Sequence, residues 1–152
     1  MPELHVRPPQ RPLCKFDASW KEDDARFGGG LVIEKEDGST IFGSFASNRV
    51  LSPLHAEFST LLWAMKSSLL LGHDSMAFKS DCQQLVRLIE EEEEWPSLMA
   101  EFDEFLDLSS KFVFCSISYV SRLQNIRTDC LVKVRSFEAF VFPMYTLRSQ
   151  LG

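Results

Sequence analysis

The sequence has no hydrophobic run near the roughly 18 residues that a membrane helix needs. Its N-terminal stretch, MPELHVRPPQRPLCK, has no apolar signal core, so we expect neither a membrane segment nor secretion. The four cysteines are scattered without a CxxC pair, and the three histidines form no HxH or HExxH pattern. These spacings argue against a zinc or histidine-rich metal site. We expect reduced thiols, no disulfide and an intracellular protein of the nucleus or cytoplasm.

The chain also has fewer basic residues than acidic ones. Lysine and arginine number 16 against 22 acidic residues, which gives the 152-residue chain a formal net charge of −6. Proteins that coat nucleic acid without specificity are usually basic, so the balance argues against that class. An enzyme that holds metal ions against a polyanion through acidic side chains is still compatible with it. The 45% hydrophobic and 25% charged residues are typical of one globular domain, which we expect to be a monomer.

Proline is concentrated at the N-terminus, where four of the seven prolines fall within residues 1–12. That segment has almost no apolar periodicity, which predicts an extended arm. The hydrophobic pattern then predicts a folded domain over residues 13–137 and a C-terminal extension over residues 138–152.

The period of the hydrophobic pattern changes along the domain and predicts alternating element types. Predicted strands cover Leu13–Trp20, Phe27–Glu36, Thr40–Ala46, Ser75–Lys79 and Lys111–Val120. Predicted helices run from Ser52-Pro53 to Gly72, through Leu85–Ile89, over Ser97–Leu108 and from about 125 to 137. Asp37-Gly38 is a hairpin turn signal between the second and third strands. The order predicts an α/β fold: a five-stranded mixed sheet, an antiparallel meander plus parallel strands, flanked by helices.

Four acidic residues fall at predicted element ends or starts, where a site built from a sheet edge would need them. Asp17 lies in the first strand, Glu57 in the first turn of the first helix, Asp81 directly after the fourth strand, and Asp129 in the first turn of the last helix. Carboxylates near helix N-termini complement the helix dipole, which accounts for the last three individually. It does not account for Asp17 inside an apolar strand.

The segments around these acids resemble the four acidic motifs of the ribonuclease H family. They read KFDASW, HAEFSTLLWAM, KSDCQQLV and RLQNIRTDCLVK, and both their order and the order of strands and helices match. The resemblance covers residues 13 to about 136 and is closest to plant-type, retroelement-related ribonuclease H domains. It implies a ribonuclease H-like fold and a metal-dependent endonuclease that hydrolyses the RNA strand of RNA–DNA hybrids.

The resemblance further implies a site with two Mg²⁺ ions, for which Mn²⁺ can substitute. Converging carboxylates repel each other by about 3 kcal/mol per close pair at about 5 Å and an effective dielectric of about 20, and divalent cations relieve that repulsion. By the family likeness, Asp17 bridges both ions and Asp129 helps hold the ion that activates water. Glu57 and Asp81 then hold the ion at the leaving oxygen.

Three further residues match nucleic-acid-binding positions of the family. Arg122 and Asn125 precede Asp129 with the spacing of members that lack a catalytic histidine loop. Arg122 is either a phosphate contact or a solvated arginine at a strand end. Gln83 matches a hybrid-contacting position of some relatives, although an exposed helix residue is the simpler interpretation.

Two further features leave alternatives open. The run Gly28–Gly30 lacks the lysine and the strand-to-helix context of a phosphate-binding loop, so it indicates either a close backbone approach to a hybrid or a bulge. Trp20 could stack on nucleic acid, although burial at the edge of the core is favoured.

The chain also departs from the better-known family members. No histidine follows His73, Ser52-Pro53 replaces an asparagine that grips the hybrid, and five acids, Glu90–Glu94, replace a basic protrusion. Acidic residues beside a polyanion weaken its binding. The alternative is therefore a catalytically weak or inactive nucleic-acid-binding scaffold derived from a retroelement. A related exonuclease is less well supported, because Ser19 stands where its first motif carries glutamate.

Overall fold

A computed structural model of the chain describes residues 12–122 and the backbone of residues 139–141. The elements in chain order are β1 (Leu13–Ser19), β2 (Arg26–Glu34), β3 (Thr40–Asn48), α1 (Pro53–Leu70), β4 (Ser75–Ser80), α2 (Gln83–Glu90), a 3₁₀ turn (Pro96–Leu98), α3 (Met99–Ser109), β5 (Phe114–Tyr119) and β6 (Ala139–Val141). The predicted helix over 125–137 and most of the N-terminal arm lie outside the described residues.

The strands form one mixed sheet in the order β5-β4-β1-β2-β3-β6. β1, β2 and β3 are antiparallel neighbours, whereas β4 is parallel to β1 and β5 is parallel to β4. The predicted five-stranded mixed sheet is confirmed, with strand ends displaced by at most three residues. β6 adds a short parallel pairing to β3 that the sequence did not predict. Three residues are too few for an alternating pattern to stand out.

The hairpin between β2 and β3 turns where the sequence predicts it. Gly38 has a φ of 89°, a left-handed conformation that glycine adopts without steric cost. The Asp37 carboxylate accepts hydrogen bonds from the Ser39 hydroxyl at 2.6 Å and the Ser39 backbone N–H at 2.9 Å. These bonds, that of the hydroxyl first, hold the pKa of Asp37 below its usual value.

Helix α1 is the centre of the core and is buried on nearly all sides. It begins with Ser52, whose hydroxyl accepts from the His55 N–H at 3.2 Å, and with Pro53 at the first helical position. It ends before Gly72, which has a φ of 91°. Since α1 packs against β1, β2, α2 and α3, its position relative to the sheet is firmly determined.

The close approach of α1 to the sheet depends on Gly29. A Cβ atom at this residue would lie 2.5 Å from Phe45 Cε1 and 2.7 Å from Thr60 Oγ1. Gly29 pairs with Ala18 on one side and Phe45 on the other in an uninterrupted ladder. The bulge interpretation of Gly28–Gly30 is therefore wrong, and the middle glycine makes room for a helix.

The cysteines in the described part of the chain, Cys14, Cys82 and Cys115, are free thiols. Burial raises the pKa of Cys14, and it raises the pKa of Cys82 and Cys115 to about 11. All three therefore stay neutral near pH 7, as core-filling thiols do. Cys130 lies outside the described residues. Among the described helices, none combines the length and apolar character needed to cross a membrane.

A buried ion pair joins α1 to α3, and we expect its disruption to be costly. Lys66 Nζ lies 2.5 Å from Glu104 Oε2, with the Lys66 side chain 3% exposed and that of Glu104 33% exposed. Glu104→Gln should lower the free energy of unfolding by about 2 kcal/mol, less than a fully buried pair because Glu104 reaches solvent. Adding Lys66→Met should recover most of the loss. Urea denaturation measures both, with Glu101→Gln as the control on the same helix; equal midpoints for Glu104→Gln and wild type would contradict this role.

Candidate metal centre

Asp17, Glu57 and Asp81 meet at the edge of the sheet where the parallel strands β1 and β4 end. One carboxylate oxygen from each residue lies within 4.8 Å of the other two. All three residues are partly buried. The three-residue carboxylate cluster is thus held on defined elements, and each of its residues keeps some exposure to solvent.

The register of β1 and β4 explains why two of these acids are neighbours. Phe16 pairs with Ser80 across the parallel strands, so the next residues along each strand, Asp17 and Asp81, lie side by side. The Ser80 hydroxyl accepts from the Cys82 N–H at 3.0 Å and fixes the turn that carries Asp81.

Glu57 reaches the cluster from α1, but not from the first turn. The helix begins at Pro53, so Glu57 is its fifth residue, and the first turn contains no acid. The predicted helix start at Pro53 is confirmed, but the predicted first-turn position of Glu57 is wrong, because one turn of 3.6 residues counted from Pro53 ends before the fifth residue. Since dipole effects fall off after the first turn, the helix dipole accounts poorly for an acid here.

The electrostatics of the cluster are those of crowded carboxylates. The pKa of Glu57 is raised to about 9, chiefly by burial and then by repulsion from Asp17 and Asp81. A hydrogen bond from the Ala18 backbone N–H opposes this rise in part. In the metal-free protein, Glu57 therefore holds a proton near pH 7.

An unsatisfied oxygen shows that the cluster fits a metal cation. Glu57 Oε1 is buried and has no hydrogen-bond partner among the described residues. Buried polar atoms are normally partnered, so such an atom points to a missing ligand. Three carboxylates provide oxygen ligands and negative charge, which suits a hard divalent cation. The cluster can therefore bind a metal.

The other predicted site residues divide into placed and unplaced ones. Arg122 Nη1 lies 3.4 Å from Asp81 Oδ2, and its side chain is 76% exposed while that of Asp81 is 3% exposed. Gln83 is exposed at the start of α2, two residues after Asp81. Asp129 and Asn125 lie outside the described residues, so their roles remain predictions.

A small pocket at the same end of β1 was missed by sequence reasoning. It has a volume of about 230 Å³, and Ser19, Lys21, Asp24 and Arg26 contribute its polar lining. Lys21 and Arg26 face one space although acids separate them in the segment KEDDAR. The sequence signal for this pocket was two basic residues on either side of one turn. It was overlooked because three acidic residues separate them.

Trp20 is held at the edge of the core. Its indole Nε1 donates to the Val50 carbonyl at 3.1 Å, and the Arg49 guanidinium lies 5.0 Å from the ring centroid. The ring packs against the core cluster on another side. These contacts favour burial over stacking on nucleic acid.

Comparisons with known proteins agree with the geometry. A family model described as reverse transcriptase-like matches residues 15–134. No curated protein sequence matches the chain significantly.

Three solved structures have a similar fold. RNase H1 from the archaeon Halobacterium salinarum is similar with a TM-score of 0.71 and 23% identity, over 78% of this chain and 92% of that one. LC11-RNase H1, isolated from compost and solved with an RNA/DNA hybrid, is similar with a TM-score of 0.68 and 20% identity, over 78% of this chain and 91% of that one. The N-terminal RNase H domain of a Mycobacterium tuberculosis protein is similar with a TM-score of 0.68 and 19% identity, over 92% of this chain and 97% of that one. At these identities the likeness shows a ribonuclease H-like fold.

Proposed function

Because the chain belongs to the reverse transcriptase-like family, whose model covers residues 15–134, we propose that it is a metal-dependent endonuclease for the RNA strand of RNA–DNA hybrids. The observation that carries the proposal is the three-residue carboxylate cluster with its unsatisfied Glu57 oxygen. The fold supports it as well, since a structural neighbour was solved with an RNA/DNA hybrid. Plant-type ancestry, a monomeric state and a nuclear or cytoplasmic location belong to the same proposal.

In this proposal Asp17, Glu57 and Asp81 hold two Mg²⁺ ions, with Mn²⁺ as a substitute, and Asp129 is the fourth ligand. Asp17 would contribute to holding both ions, because its strand β1 contacts β4, which leads to Asp81, and α1, which carries Glu57. Two bound divalent ions would lower the pKa of the attacking water and stabilise the leaving 3′ oxygen. The carboxylates would hold the ions in position, and their negative charge would offset the positive charge of the ions.

Cationic side chains around the cluster would guide the substrate. The exposed guanidinium of Arg122 pairs with Asp81 and can also donate to a phosphate oxygen at the entrance. Gln83, exposed nearby, can contact the hybrid. Lys21 and Arg26 offer a second phosphate contact at the end of β1.

A cleavage assay tests the proposal. RNA labelled at its 5′ end is annealed to DNA or to RNA and incubated with Mg²⁺, Mn²⁺ or EDTA. We expect slow, metal-dependent cutting of the RNA in the hybrid, leaving 5′-phosphate and 3′-hydroxyl ends. The Asp23→Asn variant, which changes an exposed acid outside the cluster, should cut as wild type does.

The scaffold alternative predicts a different result, and the acidic run Glu90–Glu94, in which every residue except Glu93 is exposed, favours it. If the wild-type protein binds hybrids but cuts none with either metal ion, the scaffold function replaces the nuclease. If it neither binds nor cuts, the fold reports ancestry alone.

We expect the pocket at the end of β1 to affect binding rather than chemistry. Lys21→Gln with Arg26→Gln should weaken hybrid binding and reduce the slope of log K against log salt by about 2, or about 1 per lost phosphate contact. The rate at saturating hybrid should stay unchanged. Fluorescence anisotropy over a salt series measures the slope, with Lys35→Gln, beyond the opposite end of β2, as control. An unchanged slope would remove these two residues from the binding surface.

A further inference from the structure

A groove separate from the carboxylate cluster opens beside the start of α3. It has a volume of about 310 Å³ and is bounded by the end of α2, the acidic turn after it, the 3₁₀ turn and the first residues of α3. Its apolar lining consists of Leu88, Trp95, Pro96, Leu98, Met99 and Phe102. Its charged lining is entirely acidic: Glu92, Glu93, Glu94 and Asp103. The volume is at the small end of ligand pockets, which suits one or two side chains rather than a large ligand.

The walls of this acidic groove are fixed by specific contacts. The Glu93 N–H donates to the Leu88 carbonyl at 3.1 Å, which folds the acidic turn back onto α2. The Trp95 indole Nε1 donates to Glu93 Oε1 at 3.1 Å and so holds the ring as one wall. Phe102 is braced from behind by Phe58, with ring centroids 6.3 Å apart. The groove therefore exists before any ligand binds.

The floor of the acidic groove offers apolar surface to an incoming side chain. Leu88 and Leu98 are fully buried and close its base from beneath, so the accessible apolar surface comes from the partly exposed rings of Trp95 and Phe102, from Pro96, and from Met99, which is 61% exposed. An exposed methionine beside aromatic rings is an adaptable apolar contact. The floor can therefore bind one branched or aromatic side chain without rearrangement of the core.

The rim of the acidic groove is uncompensated negative charge. In the described part of the chain, no ion pair involves Glu92, Glu94 or Asp103, while the adjacent Glu91 pairs with Arg87 at 3.8 Å. Like charges that line one groove repel each other, and a cationic ligand would relieve that repulsion. A nucleic acid would be repelled by the same charges, so charge complementarity selects a basic polypeptide.

We propose that the acidic groove docks a short basic segment of a partner protein, with a leucine or phenylalanine on the apolar floor and lysine or arginine side chains against the acidic rim. This proposal does not depend on the nuclease function, because no cluster residue lines the groove.

A peptide panel on the full-length protein tests the proposal. The probe is a short fluorescein-labelled peptide in which lysine and arginine flank a Leu-Phe pair, compared with peptides that carry serine or glutamate instead. We expect saturable binding of the basic peptide alone, with NMR shifts of the Trp95 indole N–H and the Met99 methyl group. Glu92→Gln with Glu94→Gln and Asp103→Asn should weaken binding at least about tenfold. Met99→Ser should weaken it without changing the charge.

The matched control moves the same number of charges elsewhere. Glu22→Gln with Asp23→Asn and Glu36→Gln removes three exposed acids from other turns and should leave affinity within about twofold of wild type. Equal losses in both triple variants would reveal nonspecific attraction and overturn the proposal, as would absence of binding. If Arg7→Gln with Arg11→Gln raises peptide affinity about tenfold or more, the chain's own arm occupies the groove, which also overturns it.

Discussion

Asp17→Asn is expected to slow Mg²⁺-dependent cleavage of the RNA strand by at least about 10²–10³-fold, or about 3–4 kcal/mol. The substitution keeps the size of the side chain and removes its charge. One carboxylate oxygen from each of the three acids lies within 4.8 Å of the other two, and Asp17 is the acid whose strand, β1, contacts both β4 and α1. In the proposed mechanism Asp17 would therefore help hold both ions. Substitution of Asp17 should therefore slow cleavage more than substitution of Glu57 or Asp81.

Single-turnover cleavage of a labelled hybrid measures this effect and separates chemistry from product release. Circular dichroism establishes that the variant is folded, and Asp23→Asn serves as the charge-matched control. A folded Asp17→Asn protein that cuts at the wild-type rate would remove the carboxylate cluster from the mechanism, whatever the substrate.

Much of the site could be predicted because strand geometry makes sequence position informative. Asp17 on the first strand and Asp81 directly after the fourth were grouped from these positions and from the family resemblance, and the parallel pairing of β1 with β4 explains why they are neighbours. The helix start at Pro53 could be predicted from the capping serine and the proline, yet Glu57 lies one residue beyond the first turn, because a turn holds only 3.6 residues.

Features that depend on distant residues could not be predicted. Gly29 is needed because Thr60 and Phe45 lie against it, and neither is near it in sequence. The acidic run Glu90–Glu94 is evident in the sequence, but its turn towards Trp95 and Phe102 depends on tertiary packing. Local sequence patterns predict helices and strands. The close packing at Gly29 and the turn of the acidic run arise from contacts between those elements, which local patterns do not contain.

The crowding in the cluster has a consequence for stability in the absence of metal. Glu57 has a folded-state pKa of about 9 against an ordinary value of 4.5. Between these two values the folded protein binds more protons than the unfolded chain, so stability falls as pH rises. The favourable contribution is complete below about pH 4.5 and is lost as pH passes about 9. Glu57→Gln mimics the protonated side chain and should remove this dependence.

We therefore expect metal-free wild type and Glu57→Gln to unfold at similar urea concentrations near pH 5, and the variant to be more stable by about 2 kcal/mol or more near pH 9. Mg²⁺ should narrow this difference at high pH, because it binds the ionised cluster of the wild type and stabilises it by about 2.7 kcal/mol at a hundredfold excess over Kd. The gain should shrink near pH 6, where the ion must displace the Glu57 proton, and Asp17→Asn should reduce it at every pH. Urea denaturation of each protein in EDTA and in Mg²⁺, at each pH, measures these differences in the free energy of unfolding. Curves that respond neither to Mg²⁺ nor to either substitution would show that three neighbouring acids, rather than a metal centre, occupy this edge of the sheet.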